Sequence, residues 1–482
     1  MAEKAVPAGV TYTSVEKEYF DSRQLKRYAR AIHIWGLGVG AVISGDFFGW
    51  NFGLASGGFG GLLVATLVIA AMYLALSFSI AEMSAALPHT GGAYSFARSA
   101  MGPWGGYVTG LAENMEYILT PAVIVVGASG YLSAVFGTPT TYDPLWWLLC
   151  YGVFVGLNIV GVEASFRFTL FIAIVALAVL VVFFVAAIPH VDFARYALNM
   201  TPDAGGTAWF PKGLFGIIAA LPFAIWFFLG IEELPLAAEE TVNPQRDIPR
   251  GMVLGMITLI ISSLLVLVIN SSLAPGVAAI GTSDHPLYDG FVAILGTGFG
   301  TKLMALVAVA GLIASFHSII FAYGRQIYSL SRAGYFPTFL SLVHRTRKTP
   351  HIALIVGALI GYAVALAIHF AGPKSPLGAM LLSMAVFGAV VSYMLQMLSF
   401  ILLRRRMPDI PRPYRSPTGV PGAVITLLLS GVTLVALFIS DPVYQKVAIA
   451  AAIWFALGLV YFAVIGRKRL ILSPEEEFAM RS

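Results

Sequence analysis

The chain has a single cysteine, Cys150, in 482 residues. A lone thiol cannot close an internal disulfide, so nothing in the sequence calls for an oxidising compartment. Charge is scarce as well. Asp, Glu, Lys and Arg make up 11% of the chain, against about 25% in a soluble domain, too little to hold a surface of this size in water. No Cys or His cluster has metal-ligand spacing, no phosphate-binding glycine loop occurs, and no nucleophile–base pair presents itself. The expectation is no enzyme, no cofactor and no ATP-driven pump. The first thirty residues are polar, with Glu3, Lys4, Glu16, Lys17 and Arg23 among them, so a cleaved signal peptide is not expected either.

What is abundant is apolar surface: 58% of the residues are hydrophobic and the mean hydropathy is +0.84. Crossing roughly 30 Å of hydrocarbon takes about 20 apolar residues in a helix. Windows of that kind fall at 31–56, 58–83, 103–136, 144–162, 167–189, 213–236, 251–271, 302–330, 351–371, 377–403, 420–440 and 445–466, twelve in all. They are too long for strands and lack the alternation of a lipid-facing barrel. The expected class is therefore an all-α polytopic membrane protein. With a cytoplasmic N-terminus, 24 of the 29 Lys and Arg lie on the cytoplasmic side, leaving Arg195, Lys212, Lys302, Lys374 and Lys446 on the other. That bias predicts a multi-pass protein of the inner (plasma) membrane with both termini cytoplasmic. It also accounts for the net charge of +5 with membrane lipid, and no nucleic acid, as partner.

Two windows are interrupted. The first holds Gly36, Gly38, Gly40, Gly45, Gly49 and Gly53, with the polar triplet Ser44-Gly45-Asp46 at its middle; the sixth holds Pro222, Gly230 and Pro235, with Glu232 and Glu233 beside Gly230. Glycine costs about 1 kcal/mol inside a helix and proline removes a donor. Such breaks survive at membrane depth only where backbone is buried in protein or lines a cavity. Their separation by five windows fits a 5+5 inverted repeat whose broken helices 1 and 6 meet at a mid-membrane site. The expected organisation is a tail over 1–30, a ten-helix core over 31–403, a basic loop over 404–419, two extra C-terminal helices within 420–466, and a tail over 467–482.

Acids inside the windows carry the chemistry. Asp46, Glu113, Glu116 and Glu232 lie well within them, and each such charge costs about 2.5–3.5 kcal/mol on insertion scales. Only Arg325 is deep enough to pair with one, so negative charge is left over for a proton, a metal ion or a cationic ligand. Glu113, Glu116, Tyr117 and Thr120 share one helical face. Two readings of Glu113 stand at this point, a structural bridge to Arg325 or a part in transport. Trp226 and Phe228 flank the second break and could hold a cation over a ring face. His317, between Ser315 and Ser318 and their neighbours, reads either as a ligand contact or as a packing residue.

Four segments carry a resemblance: Gly40-Ala41-Val42-Ile43-Ser44-Gly45-Asp46; Ala81-Glu82-Met83-Ser84-Ala85-Ala86-Leu87-Pro88 with Gly91-Gly92-Ala93-Tyr94; Gly230-Ile231-Glu232 with the run from Glu239 to Arg250; and Arg412-Pro413-Tyr414-Arg415-Ser416-Pro417. On these, over about residues 30 to 440, the chain resembles the amino acid–polyamine–organocation transporters. The stretch from Ala112 to Pro121 resembles the ethanolamine permeases within them. The resemblance implies a LeuT-like fold and secondary active uptake of a small amine by alternating access. Amino acid members usually show a Gly-Ser/Thr-Gly triplet whose amides receive the substrate carboxylate. Here Asp46 stands at that place, and two carboxylates about 4 Å apart repel by about 4 kcal/mol at an effective dielectric of 20. An amine without a carboxylate is therefore expected, with Asp46 as counter-ion beside Ser44 and Gly45, and with the carbonyls of Leu229 and Gly230 assisting. By similarity, Trp226 and Phe228 close over the ligand, while Glu113 or Glu116 binds its hydroxyl or carries a proton. The lysine that some proton-coupled relatives place in helix five is missing from residues 168–188, leaving proton and sodium as candidate coupling ions and the oligomeric state open. The alternatives are an amino acid or polyamine permease or antiporter of the same fold, and a non-translocating amine sensor or channel.

Overall fold

Lipid offers no partners for backbone polar groups, so apolar runs of this length satisfy them internally as helices. The computed structural model describes residues 9–473 apart from 90, 284, 373, 374, 376 and 441, together with 477. Lys374, the side chain of Lys302 and parts of both tails lie outside the described residues. Among those described, ten helices are long and apolar enough to cross a membrane. The other two windows take different forms. Window 31–56 becomes α1 (Ala31–Val42), the four-residue α2 (Ser44–Phe47) and the start of α3 (Phe52–Ala86), and window 302–330 lies within a 34-residue helix, Phe299–Arg332.

The helices of the remaining windows follow in order: α4 (Gly92–Phe136), α5 (Asp143–Val160), α6 (Val162–Ala187), α7 (Phe215–Ala224), α8 (Pro244–Ser271), α9 (Phe299–Arg332), α10 (His351–Ala371), α11 (Leu377–Arg406), α12 (Gly419–Ser440) and α13 (Pro442–Val464). Gly58 and Gly102 sit at φ +68° and +81°, left-handed values that a glycine adopts without a Cβ clash. They bend α3 and α4 where windows two and three begin.

Both interrupted windows are broken in the structure. After α2 the chain passes through extended Phe48 and left-handed Gly49 (φ +96°). The sixth window runs as α7, a 3-10 turn over Ile225–Phe227, Gly230 at φ +110°, and a ten-residue 3-10 segment, Ile231–Glu240. Runs of 3-10 helix longer than three or four residues are uncommon, and Pro235 inside this one withholds a backbone donor. The two breaks cross at close range: a Cβ on Gly45 would lie 1.8 Å from the Trp226 carbonyl oxygen, and one on Gly230 3.4 Å from the Ala41 Cβ.

Segments 12–13 and 470–471 meet on one face. Tyr12–Thr13 pairs in parallel with Leu470–Ile471, and the Ile471 N–H donates to the Ala333 carbonyl at 2.9 Å just past α9. Residues 28–29, ahead of α1, bond to the exit of the 3-10 segment through the Glu240 carbonyl at 2.7 and 2.9 Å. On the same face Glu82 accepts both Nε and Nη2 of Arg404 at 2.9 and 2.6 Å and the Ser416 N–H at 2.7 Å. It also lies 3.2 Å from Arg412, so the end of α3 holds the loop that follows α11.

Candidate substrate site

Gly230's left-handed backbone turns its N–H onto the Glu232 carboxylate, at 3.2 and 3.1 Å from the two oxygens. Glu232 Oε1 also accepts the Tyr393 hydroxyl of α11 at 2.6 Å, and Tyr393 in turn meets the Tyr73 hydroxyl of α3 at 2.9 Å. The Glu116 carboxyl of α4 lies beside that of Glu232. The second Glu116 oxygen, Oε2, has no partner. One turn earlier, Glu113 Oε2 accepts from Gln326 Nε2 of α9 at 2.8 Å, with the Tyr117 hydroxyl at the edge of bonding range, 3.5 Å, from Oε1. Gln326 Oε1 and both oxygens of Glu233 are buried without a partner. Thr120 donates to the Glu116 carbonyl at 2.7 Å, and the Phe228 ring packs on Tyr73 at 5.5 Å.

The bridge from Glu113 to Arg325 does not form. Arg325 makes a two-pronged pair with Glu240 instead, at 2.9 and 2.8 Å, both side chains at zero exposure, with the guanidinium 3.6 Å over the Phe321 ring. Arg325 is thereby spent on an acid at the far end of the 3-10 segment.

Asp46 is a separate case. It is buried, and neither carboxylate oxygen has a hydrogen-bond partner. Ser262 of α8 faces it, but that hydroxyl donates to the Leu259 carbonyl at 3.2 Å. The short α2 packs on α8, α9 and the Ile225–Phe227 turn, so the structure does not bring Asp46 into the glutamate group. Ser44 and Gly45 stay with Asp46 at the first break. The Ser44 carbonyl accepts the Phe48 N–H at 3.0 Å, and Trp226 fills the space beside Gly49, its ring 3.3 Å from where a Cβ would sit. Buried Leu229 donates its N–H to the Ile225 carbonyl at 2.9 Å. His317 lies with neither group. Its ring nitrogens meet Asn158 Nδ2 and Ser165 Oγ, each at 3.1 Å, and Phe154 and Phe168 pack edge-on against it. That is a knot between α5, α6 and α9.

All five carboxyl groups at the breaks, Asp46, Glu113, Glu116, Glu232 and Glu233, are 2% exposed or less. None of the five is open to solvent in this structure.

The sequence profile of the amino acid permeases matches residues 33–471. The chain belongs to the amino acid permease family. It is thus a multi-pass membrane transporter for small organic molecules and not an enzyme. The permease is similar to an uncharacterized transporter of Rhizobium meliloti, with 30% identity covering 90% of this chain and 92% of that one. It is also similar to two proteins of Bacillus subtilis. A branched-chain amino acid permease is 26% identical over 97% of both chains, and a methylthioribose transporter is 23% identical over 94% of this chain and 96% of that one.

Several residues of the permease's acid group escape a reading by charge alone. Tyr73, Tyr393 and Gln326 are uncharged, and only their position mid-window among apolar neighbours marks them. Glu240 sits just past the sixth window, in a stretch legible only as a family motif.

Proposed function

We propose that the permease imports ethanolamine or a similar small ammonium compound across the inner membrane by alternating access. The observation that carries this reading is the set of five buried carboxyl groups with no base among them, the nearby Arg325 being taken by Glu240. Their chemistry divides in two. Asp46 has two free oxygens and serves as counter-ion to the ammonium, with the Leu229 and Gly230 backbone and the Trp226 and Phe228 rings around it. Glu116 and Glu232, with Glu113, Tyr393 and Gln326, form the group that takes the ligand's hydroxyl or passes a coupling proton. The crossing of the two breaks fits a 5+5 inverted repeat that rocks helices 1 and 6 against a scaffold. The pairing of residues 12–13 with 470–471 supports an even number of crossings, as twelve would give.

The second reading is an amino acid permease, favoured by the likeness to the branched-chain amino acid permease along nearly the whole chain. Purified protein exposed to ethanolamine, alanine, leucine and arginine separates the two. Thermal stabilisation by ethanolamine alone supports the ammonium reading, and stabilisation by an amino acid alone overturns it. Counterflow of labelled ethanolamine into proteoliposomes excludes a sensor, which binds without exchange.

A further inference from the structure

Arg246 and Arg250 stand one turn apart at the start of α8, both exposed. Neither makes an ion pair or side-chain hydrogen bond to the protein among the described residues. Both line a recess of about 850 Å³ together with Phe78 of α3 and with Tyr414 and Pro417 of the loop after α11. That lining contains two guanidinium groups and no carboxylate. Asp247, between the arginines, is buried, and Glu82 on the adjoining end of α3 is committed to Arg404, Arg412 and the Ser416 N–H.

Directly along α8 from the arginines runs an apolar stripe: Leu254, Ile257, Ile261, Leu265 and Val268 are 38–56% exposed. Their spacing of three and four residues puts them on one face. Leu254, Ile257 and Ile261 fall within about 6–17 Å of Arg250 at 1.5 Å per residue, the reach of one leaflet's acyl chain. A cationic, unpartnered head position in line with an exposed apolar track has the pattern of a phospholipid.

We propose that this recess binds an anionic phospholipid. Its phosphate rests between Arg246 and Arg250, and an acyl chain lies on the stripe from Leu254 to Ile261. The headgroup so placed ties the start of α8 to the Tyr414 loop, which Glu82 already fastens to α3. Guanidinium groups suit the planar, two-pronged recognition of phosphate oxygens, and basic recesses at helix ends are a recurrent seat for anionic headgroups. This inference is independent of the transported substrate.

The test is native mass spectrometry of the full-length protein with an equimolar mixture of phosphatidylglycerol and phosphatidylcholine. Arg246→Gln/Arg250→Gln is compared with Arg345→Gln, an exposed arginine on the same face outside the recess. The expectation is selective retention of phosphatidylglycerol, weakened about fivefold by each arginine lost and unchanged in the control. Equal retention by the double variant and the control overturns the proposal, as does equal retention of the two lipids by the unmodified protein. Inorganic phosphate alone is the third arm. If it protects the protein against thermal unfolding as well as phosphatidylglycerol vesicles do, the site is for free phosphate and the lipid assignment falls. The arginines are exposed, so the variants are expected to fold, and matching melting curves in phosphatidylcholine verify this.

Discussion

The two breaks rest on glycines constrained by different physics, and alanine at each separates them. At Gly45 the limit is space. An added Cβ would meet the Trp226 carbonyl oxygen at 1.8 Å, well inside the ~3.5 Å of ordinary van der Waals contact between heavy atoms. The obstacle is backbone of a tight 3-10 turn, which cannot rotate away, so the two broken segments must separate by more than an ångström. Overpacking of this kind costs about 1–3 kcal/mol, and the high end applies when backbone moves. At Gly230 the space is adequate, since the nearest atom would be the Ala41 Cβ at 3.4 Å. There the limit is φ at +110°, and holding a side chain in that region costs about 1–3 kcal/mol. Gly127 in α4 meets nothing within 4 Å and is the control; alanine there should be neutral or stabilising by up to about 1 kcal/mol. Melting in detergent and substrate counterflow should rank the variants as Gly127→Ala, then Gly230→Ala, then Gly45→Ala as most damaged. Wild-type stability and transport in Gly45→Ala would mean that the breaks do not touch as described, and the crossing geometry would be refuted.

Arg325→Met should destabilise by about 3–5 kcal/mol, because it strands the buried Glu240 carboxylate. Arg325→Met/Glu240→Leu should recover much of that loss, and equal melting of the single and double variants would contradict the pairing. Asp46→Asn should keep the fold, since its oxygens make no bond to lose, yet weaken ethanolamine binding at least tenfold by calorimetry; wild-type affinity removes the counter-ion role. Tyr393→Phe deletes the 2.6 Å bond to Glu232, a charge-assisted contact worth about 1.5–3 kcal/mol. It should lower stability and slow counterflow together, and no change in either would separate Tyr393 from the site.

Sequence reading located the breaks because Gly and Pro are costly inside helices, and it located the acids because lipid tolerates few. It did not pair them. Whether Arg325 faces Glu113 or Glu240 depends on the rotation of α9 against a 3-10 segment whose period differs from 3.6, which no apolar pattern records. Likewise, the direction taken by Asp46 is set by a four-residue helix too short to show a face. The tyrosines and Gln326 carry no charge and blend into their windows until α4 and the 3-10 segment bring carboxylates to them. The first window shows the reverse case: its length is that of one span, yet Phe48 and Gly49 divide it.

The strand formed by residues 12–13 and 470–471 has a consequence for biosynthesis. The partners lie nearly a whole chain apart, and at about 5–20 residues per second the first emerges from the ribosome roughly 20–90 s before the second. Throughout that interval the N-terminal segment must remain unclasped at the membrane surface, open to whatever chaperone or protease finds it. The clasp closes only after residues 470–471 are made, and so after every membrane helix that lies between its two halves.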